Sequence, residues 1–126
     1  MGMVKYLLDT SVVIDTIRLN RFNAGDTLRK KYSNKLYLSH ITIGELFSGA
    51  SAQDKEVDEF LKSLLKEFII IDPTVKSSIQ AGRIRYFYKI AMADAFIASD
   101  AIENGLVLAT LNKKDFAKIK GLKIRV

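Results

Sequence analysis

A chain of 126 residues without cysteine excludes a disulfide scaffold, thiolate-bound zinc and thiol catalysis, and its 48% hydrophobic content marks a globular protein. An excess of 20 Lys and Arg over 14 Asp and Glu gives a net charge of +6, which favours polyanions or an acidic protein as partners. No apolar run approaches the roughly 20 residues that span a bilayer, and Met1 to Leu8 leads straight into structured sequence. A cytoplasmic protein with no membrane segment or leader is expected, forming one domain over residues 1–126.

The run Val4 to Leu8 reads as a buried strand, and Asp9-Thr10-Ser11 supplies helix caps before an apolar pattern through Val12, Val13, Ile14 and Ile17. A helix over Ala24 to Tyr32 closes before Ser33-Asn34. Leu36 to Leu38 reads as a second strand, followed by Ser39 and a helix from about Thr42 to Ala50. Gln53 to Phe68 is amphipathic, with Val57, Phe60, Leu61, Leu64 and Leu65 on one stripe. Phe68 to Ile71 is a third strand, and Asp72-Pro73 turns the chain into a helix that runs to Tyr88. A further helix, Ala93 to Glu103, is stopped by Asn104-Gly105. Leu106 to Ala109, a helical stretch from Lys114 to Ile119 and a last strand near Leu122 to Arg125 complete the chain. Strands separated by helices predict an α/β three-layer sandwich, its mainly parallel sheet covered by helices on both faces.

Four acids attract attention, and each has a purely local explanation. Asp9 suits a helix cap. Thr42-Ile43-Gly44-Glu45 fits the capping box in which a Glu bonds back to the cap backbone. Asp94 at the start of a helix suits the helix dipole, and Asp115 lies where it would cap a short helix or face solvent. Taken together they point elsewhere. Asp9 and Asp115 follow strands and Glu45 begins the helix after the second strand, so all three belong to the carboxyl edge, where open α/β sheets bind ligands. Carboxylates gathered there raise one another's pKa unless a cation neutralises them. All-oxygen donors predict Mg²⁺ or Mn²⁺ rather than zinc, and such an ion activates water for phosphodiester hydrolysis. A two-histidine mechanism is excluded, since His40 is the only histidine, and it reads as a structural or surface residue.

At these residues the sequence resembles the PIN-domain family, and within it the VapC toxins of prokaryotic toxin–antitoxin pairs. The resemblance is carried by Leu8-Asp9-Thr10-Ser11, Thr42-Ile43-Gly44-Glu45-Leu46, Ala93-Asp94-Ala95-Phe96-Ile97-Ala98 and Ala109-Thr110-Leu111-Asn112-Lys113-Lys114-Asp115-Phe116, in that order over nearly the whole chain. It implies a parallel sheet of four or five strands, a bound Mg²⁺ or Mn²⁺, and endoribonuclease activity directed at single strands. It implies that Asp9, Glu45 and Asp94 are the core metal-binding acids and Asp115 the fourth. Thr10 or Ser11 and Thr110 would orient carboxylates or water, and Asn112 stands where some relatives carry an acid. The chain departs from many relatives before the third acid, where Lys89-Ile90-Ala91-Met92 replaces a turn containing glycine and proline. The resemblance also implies a homodimer and a VapB-like antitoxin whose C-terminal segment enters a groove of the toxin. The helices between Thr42 and Phe68 are the expected location of that groove.

Lys113 and Lys114, next to a candidate acid, are the expected phosphate contacts to RNA. Tyr86-Phe87-Tyr88 offers rings for base stacking, but burial in the core or a dimer interface is the commoner use of such residues. Rival readings are weaker. A phosphoacceptor domain lacks its acidic partners here, since Ser11 stands two residues after Asp9. A non-catalytic binding module would reduce the acids to caps, and a PIN nuclease of RNA maturation would keep the chemistry but change its biological setting.

Overall fold

The computed structural model describes residues 4–33 and 35–126. Asn34, at the expected end of the second helix, therefore lies outside the described residues, as do Met1 to Met3. The strands are β1 (Tyr6–Leu8), β2 (Leu36–Ser39), β3 (Phe68–Ile71), β4 (Val107–Ala109) and β5 (Ile124–Arg125). The helices are α1 (Thr10–Leu19), α2 (Ala24–Lys31), α3 (His40–Ser48), α4 (Lys55–Leu65), α5 (Val75–Tyr88), α6 (Met92–Glu103) and α7 (Lys113–Phe116), with short 3₁₀ turns at Arg21–Asn23 and Ala50–Gln53. None of the described helices is long and apolar enough to cross a membrane.

All strand pairs are parallel, in the order β3-β2-β1-β4-β5. The chain builds outward from β1 through β2 to β3, then returns to place β4 on the other side of β1. Strand order therefore reverses between β1 and β4, and the crevice outside their carboxyl ends is the place such sheets reserve for a ligand. Period-two alternation sends Leu7 and Leu8 to opposite faces, and each is fully buried in a different half of the core. Leu8 packs with Val12, Leu28, Leu36, Leu61 and Leu64. Leu7 packs with Ala81, Ala95, Ile97, Leu108 and Phe116. Both faces are thus covered, as the strand–helix alternation predicts.

Three helix starts differ from expectation, each because a different side chain wins the cap. Helix α3 begins at His40, since Ser39 Oγ accepts from Ile41 N at 3.2 Å. Thr42 is then inside the helix, and the Thr42–Glu45 capping box does not form. Helix α4 starts two residues later than expected, because Asp54 accepts from Glu56 N at 2.8 Å and Val57 N at 3.3 Å. Pro73 lies outside α5, whose start is a capping box between Thr74 and Ser77, with bonds of 2.9 and 2.8 Å. The Asn104-Gly105 stop of α6 forms as expected, with Gly105 in the left-handed region at φ 63°.

Candidate active site

Asp9 leaves β1 at the crevice and is 4% exposed. Its backbone caps α1, but its carboxylate makes no cap bond, so the local explanation for this acid is wrong. Instead Oδ2 accepts from Ser11 Oγ and from Thr110 Oγ1, each at 2.8 Å. Those two hydroxyls are themselves fixed. Leu111 N donates to Ser11 Oγ at 3.2 Å and Asn112 N donates to Thr110 Oγ1 at 2.9 Å. With their lone pairs engaged by backbone N–H groups, the hydroxyl protons are committed to Asp9. The β1–β4 seam is closed at the same level by Asp9 N donating to Ala109 O at 2.8 Å.

The second acid is held by the residue that follows Asp9. Thr10 Oγ1 donates to Glu45 Oε1 at 2.6 Å and lies 3.0 Å from the hydroxyl of Thr42. Thr42 is fully buried, one turn before Glu45 on α3. Sequence reasoning assigned Thr42 to a cap and so missed its place in this chain of hydroxyls. The available signal was Ser39, an equally good cap three residues earlier.

Asp94 lies in the first turn of α6. Its carboxyl is pushed up to about 6, first by burial and then by Asp9, Glu45 and Asp115 in that order. Three acids, Asp9 just after β1, Glu45 on α3 and Asp115 on α7, therefore act electrostatically on Asp94 at the carboxyl edge. Asp115 is steadied by Asn112 Nδ2, which donates to its Oδ2 at 3.0 Å. Asn112 at this position is thus a donor to the fourth acid. Lys113 and Lys114 lie between Asn112 and Asp115 on exposed positions of α7, and neither is ion-paired among the described residues.

The donor set is oxygen throughout, which suits Mg²⁺ or Mn²⁺. As the side chains stand, no group of three or more acids or histidines among the described residues is drawn together tightly enough to hold an ion. A cation bound among these acids would relieve the repulsion they exert on Asp94.

Several other residues lie apart from the cluster. His40 packs edge-on against Phe96 at 5.8 Å, and its Nε2 is buried without a hydrogen-bond partner. Asp100, two turns along α6 from Asp94, is fully buried and accepts from Ser39 Oγ at 2.6 Å. Sequence reasoning passed over this residue, although an acid within the apolar stretch Ile97 to Ile102 is a visible anomaly. Tyr86 and Phe87, for which the core was a favoured destination, are exposed in this chain. They occupy the outer side of the last turn of α5, while Ile84 takes the inward position. Between α1, α3 and α4 runs a groove of about 300 Å³ lined by Ile14, Ile17, Leu46, Val57 and Phe60, with Glu45 among its lining residues. Of the residues expected there or in the core, Leu64 is buried, whereas Phe47 and Phe60 pack only partly against the core.

A five-stranded parallel sheet with acids from four segments near its switch point defines an acid-lined α/β domain, and comparison gives that class its family. The PIN domain model matches residues 6–122. Ribonuclease VapC1 of Rickettsia felis is 32% identical, the match covering 98% of this chain and 95% of that protein. The tRNA(fMet)-specific endonuclease VapC of Salmonella typhimurium is 27% identical over 97% of both chains. Among solved structures, a toxin–antitoxin complex from Klebsiella pneumoniae superposes with a TM-score of 0.79 at 28% identity, covering 97% of each chain. The chain belongs to the PIN-domain family, and within it to the VapC ribonucleases.

Proposed function

We propose that this protein is a Mg²⁺- or Mn²⁺-dependent endoribonuclease, the toxin of a toxin–antitoxin pair acting in the cytoplasm. The observation that carries the reading is the position of Asp94, a carboxyl pushed up to about 6 by burial and by Asp9, Glu45 and Asp115 at a sheet's switch point. Like charges held together in this way are a cost to folding that a divalent cation offsets.

Asp9, Glu45, Asp94 and Asp115 are the residues to hold that ion, with Asp9 and Asp94, the more deeply placed acids, at its centre. A bound divalent ion would supply an activated water and neutralise charge developing on the scissile phosphate. The protein's own part is orientation. Ser11 and Thr110 fix the Asp9 carboxylate, Thr10, itself in contact with the Thr42 hydroxyl, fixes Glu45, and Asn112 fixes Asp115. Lys113 and Lys114 bind RNA phosphates beside the fourth acid. A VapB-like antitoxin places its C-terminal segment in the groove between α1, α3 and α4, where the presence of Glu45 gives a basic side chain of the antitoxin a partner. The active toxin is a homodimer.

The test is cleavage of a total-RNA pool by the wild type and Asp94→Asn in Mg²⁺, Mn²⁺ or EDTA. Discrete fragments that require metal and disappear in the variant are expected. Metal-independent cutting, or cutting that survives the substitution, would overturn the mechanism.

A further inference from the structure

The corner between α5 and α6 carries chemistry that the acid cluster does not use. Tyr86 and Phe87, in the last turn of α5, are 68% and 73% exposed, although aromatic side chains ordinarily find cover. Their rings stand edge to face with centres 5.5 Å apart, and Lys89 Nζ lies 4.3 Å from the centre of the Tyr86 ring. Lys89 closes α5 in the left-handed conformation, φ 57°, a position usually taken by glycine. A lysine there keeps a cation against the aromatic pair. Met92, also exposed, carries the apolar surface to within two residues of Asp94.

The corner is tied to the active-site rim. Tyr88 Oη accepts from Lys120 N at 3.0 Å, and Arg85 Nη1 donates to Ile90 O at 3.5 Å. Ile90 is buried in one cluster with Ile119 and with Phe116, the last residue of the short helix bearing Asp115. Platform and acids thus share one edge of the molecule.

Charge decides what such a surface receives. No acid occurs from Val75 to Ala93, and Arg83, Arg85 and Lys89 are all exposed. The neighbouring segment adds exposed Lys113, Lys114, Lys118 and Lys120. Two copies of this surface set face to face repel one another, whereas a polyanion is attracted. Exposed rings interleaved with cations are how proteins bind single-stranded nucleic acid, bases stacking on the rings while phosphates meet Lys and Arg.

We propose that the 83–92 corner is the platform for unpaired bases of the RNA substrate, with Tyr86 and Phe87 stacking on bases beside the scissile phosphate and Arg85 and Lys89 binding the flanking phosphates. The proposal rests on the nuclease reading and adds to it the residues that hold the bases next to the cut.

The test measures fluorescence anisotropy of Asp94→Asn protein with two labelled probes, a mixed-sequence single-stranded RNA dodecamer and an abasic ribose-phosphate strand of equal length. The base-bearing strand is expected to bind roughly ten-fold or more tightly than the abasic one. Adding Tyr86→Ala and Phe87→Ala brings it down to the abasic level, and Tyr86→Trp preserves it. Both aromatics are exposed on a helix, where alanine is well tolerated, and circular dichroism verifies the fold. Equal affinity for the two strands, or affinity untouched by the double substitution, overturns the platform. A double variant that binds RNA as before but sediments as a smaller species also overturns it, identifying a self-association surface instead. Cleavage of total RNA by protein with Asp94 intact is followed in parallel. Cutting that persists while the binding arms fail removes the platform alone, whereas no cutting and no strand binding removes the nuclease reading as well.

Discussion

Asp94 and Asp100 lie on the same helix, and both carboxyls are pushed above the usual range, but for different reasons. At Asp94 burial is joined by three other carboxylates. At Asp100 burial acts alone and is opposed by the hydrogen bond from Ser39 and by His40. One acid is crowded by its own kind at the open edge of the sheet. The other sits fully buried with a neutral hydroxyl donor on one oxygen, while its Oδ1 has no hydrogen-bond partner. A buried acid with a hydrogen bond pins two elements together, here β2 to α6. Acids pressed against one another destabilise the fold and are kept where a cation or a reaction compensates. Burial does not separate site from scaffold in this molecule. The identity of the neighbours does.

Substitution at the two acids should break the pair apart. Asp94→Asn is expected to lower RNA cleavage by about 100-fold or more, a loss typical of removing a charged group from a reacting centre, while Asp100→Asn leaves cleavage essentially unchanged. Thr110→Val and Thr10→Val remove the hydroxyls that orient Asp9 and Glu45, with an expected loss of roughly 10- to 100-fold in metal affinity or activity. Calorimetric titration with Mn²⁺ beside the cleavage assay measures both. Ser39→Ala strands Asp100 without its donor and is expected to cost about 1–3 kcal/mol in urea unfolding, with cleavage retained below the unfolding transition.

The pH dependence sharpens the same contrast. Asp94 titrates at about 6 in the fold against an ordinary 3.8, so the folded state holds its proton where the unfolded chain has released it. Its contribution to stability is therefore greatest below about pH 4 and is lost as pH rises through 6. In metal-free protein, Asp94→Asn should raise the melting temperature above pH 6, and the gain should vanish near pH 4. A constant difference across that range would contradict the assignment. The smallest effect is expected at the rim, where Lys113→Ala or Lys114→Ala should reduce the salt dependence of RNA binding by about 0.7 in log–log slope for each phosphate left without its lysine.

The sequence made the alternation of strands and helices legible because β1 to β4 are short apolar runs and the intervening helices are separated by turn residues. It also exposed the candidate acids, since Asp9 follows a strand and Asp115 lies a few residues beyond one. What it hid is mostly long-range. Asp94 follows no strand, and only the packing of α6 against the sheet brings it under the influence of Asp9. The Ser39–Asp100 bond joins residues 61 apart in sequence, which no local pattern records. The start of α3 was ambiguous for a different reason. Ser39 and Thr42 are both competent caps, and the choice is made by where β2 ends rather than by propensity. Tyr86 and Phe87 misled because aromatic residues usually find cover, whereas the register of α5 gives the inward positions of its last turns to Ala81 and Ile84.

The most direct test of the central claim, that the four acids form one electrostatic unit suited to a divalent ion, is a carboxyl-carbon NMR titration of Asp94 with and without Mg²⁺. In metal-free protein the resonance should titrate at about 6, and saturating Mg²⁺ should move the midpoint down by neutralising Asp9, Glu45 and Asp115. A midpoint near the ordinary 3.8 that does not respond to Mg²⁺ would show that these acids neither crowd one another nor share an ion.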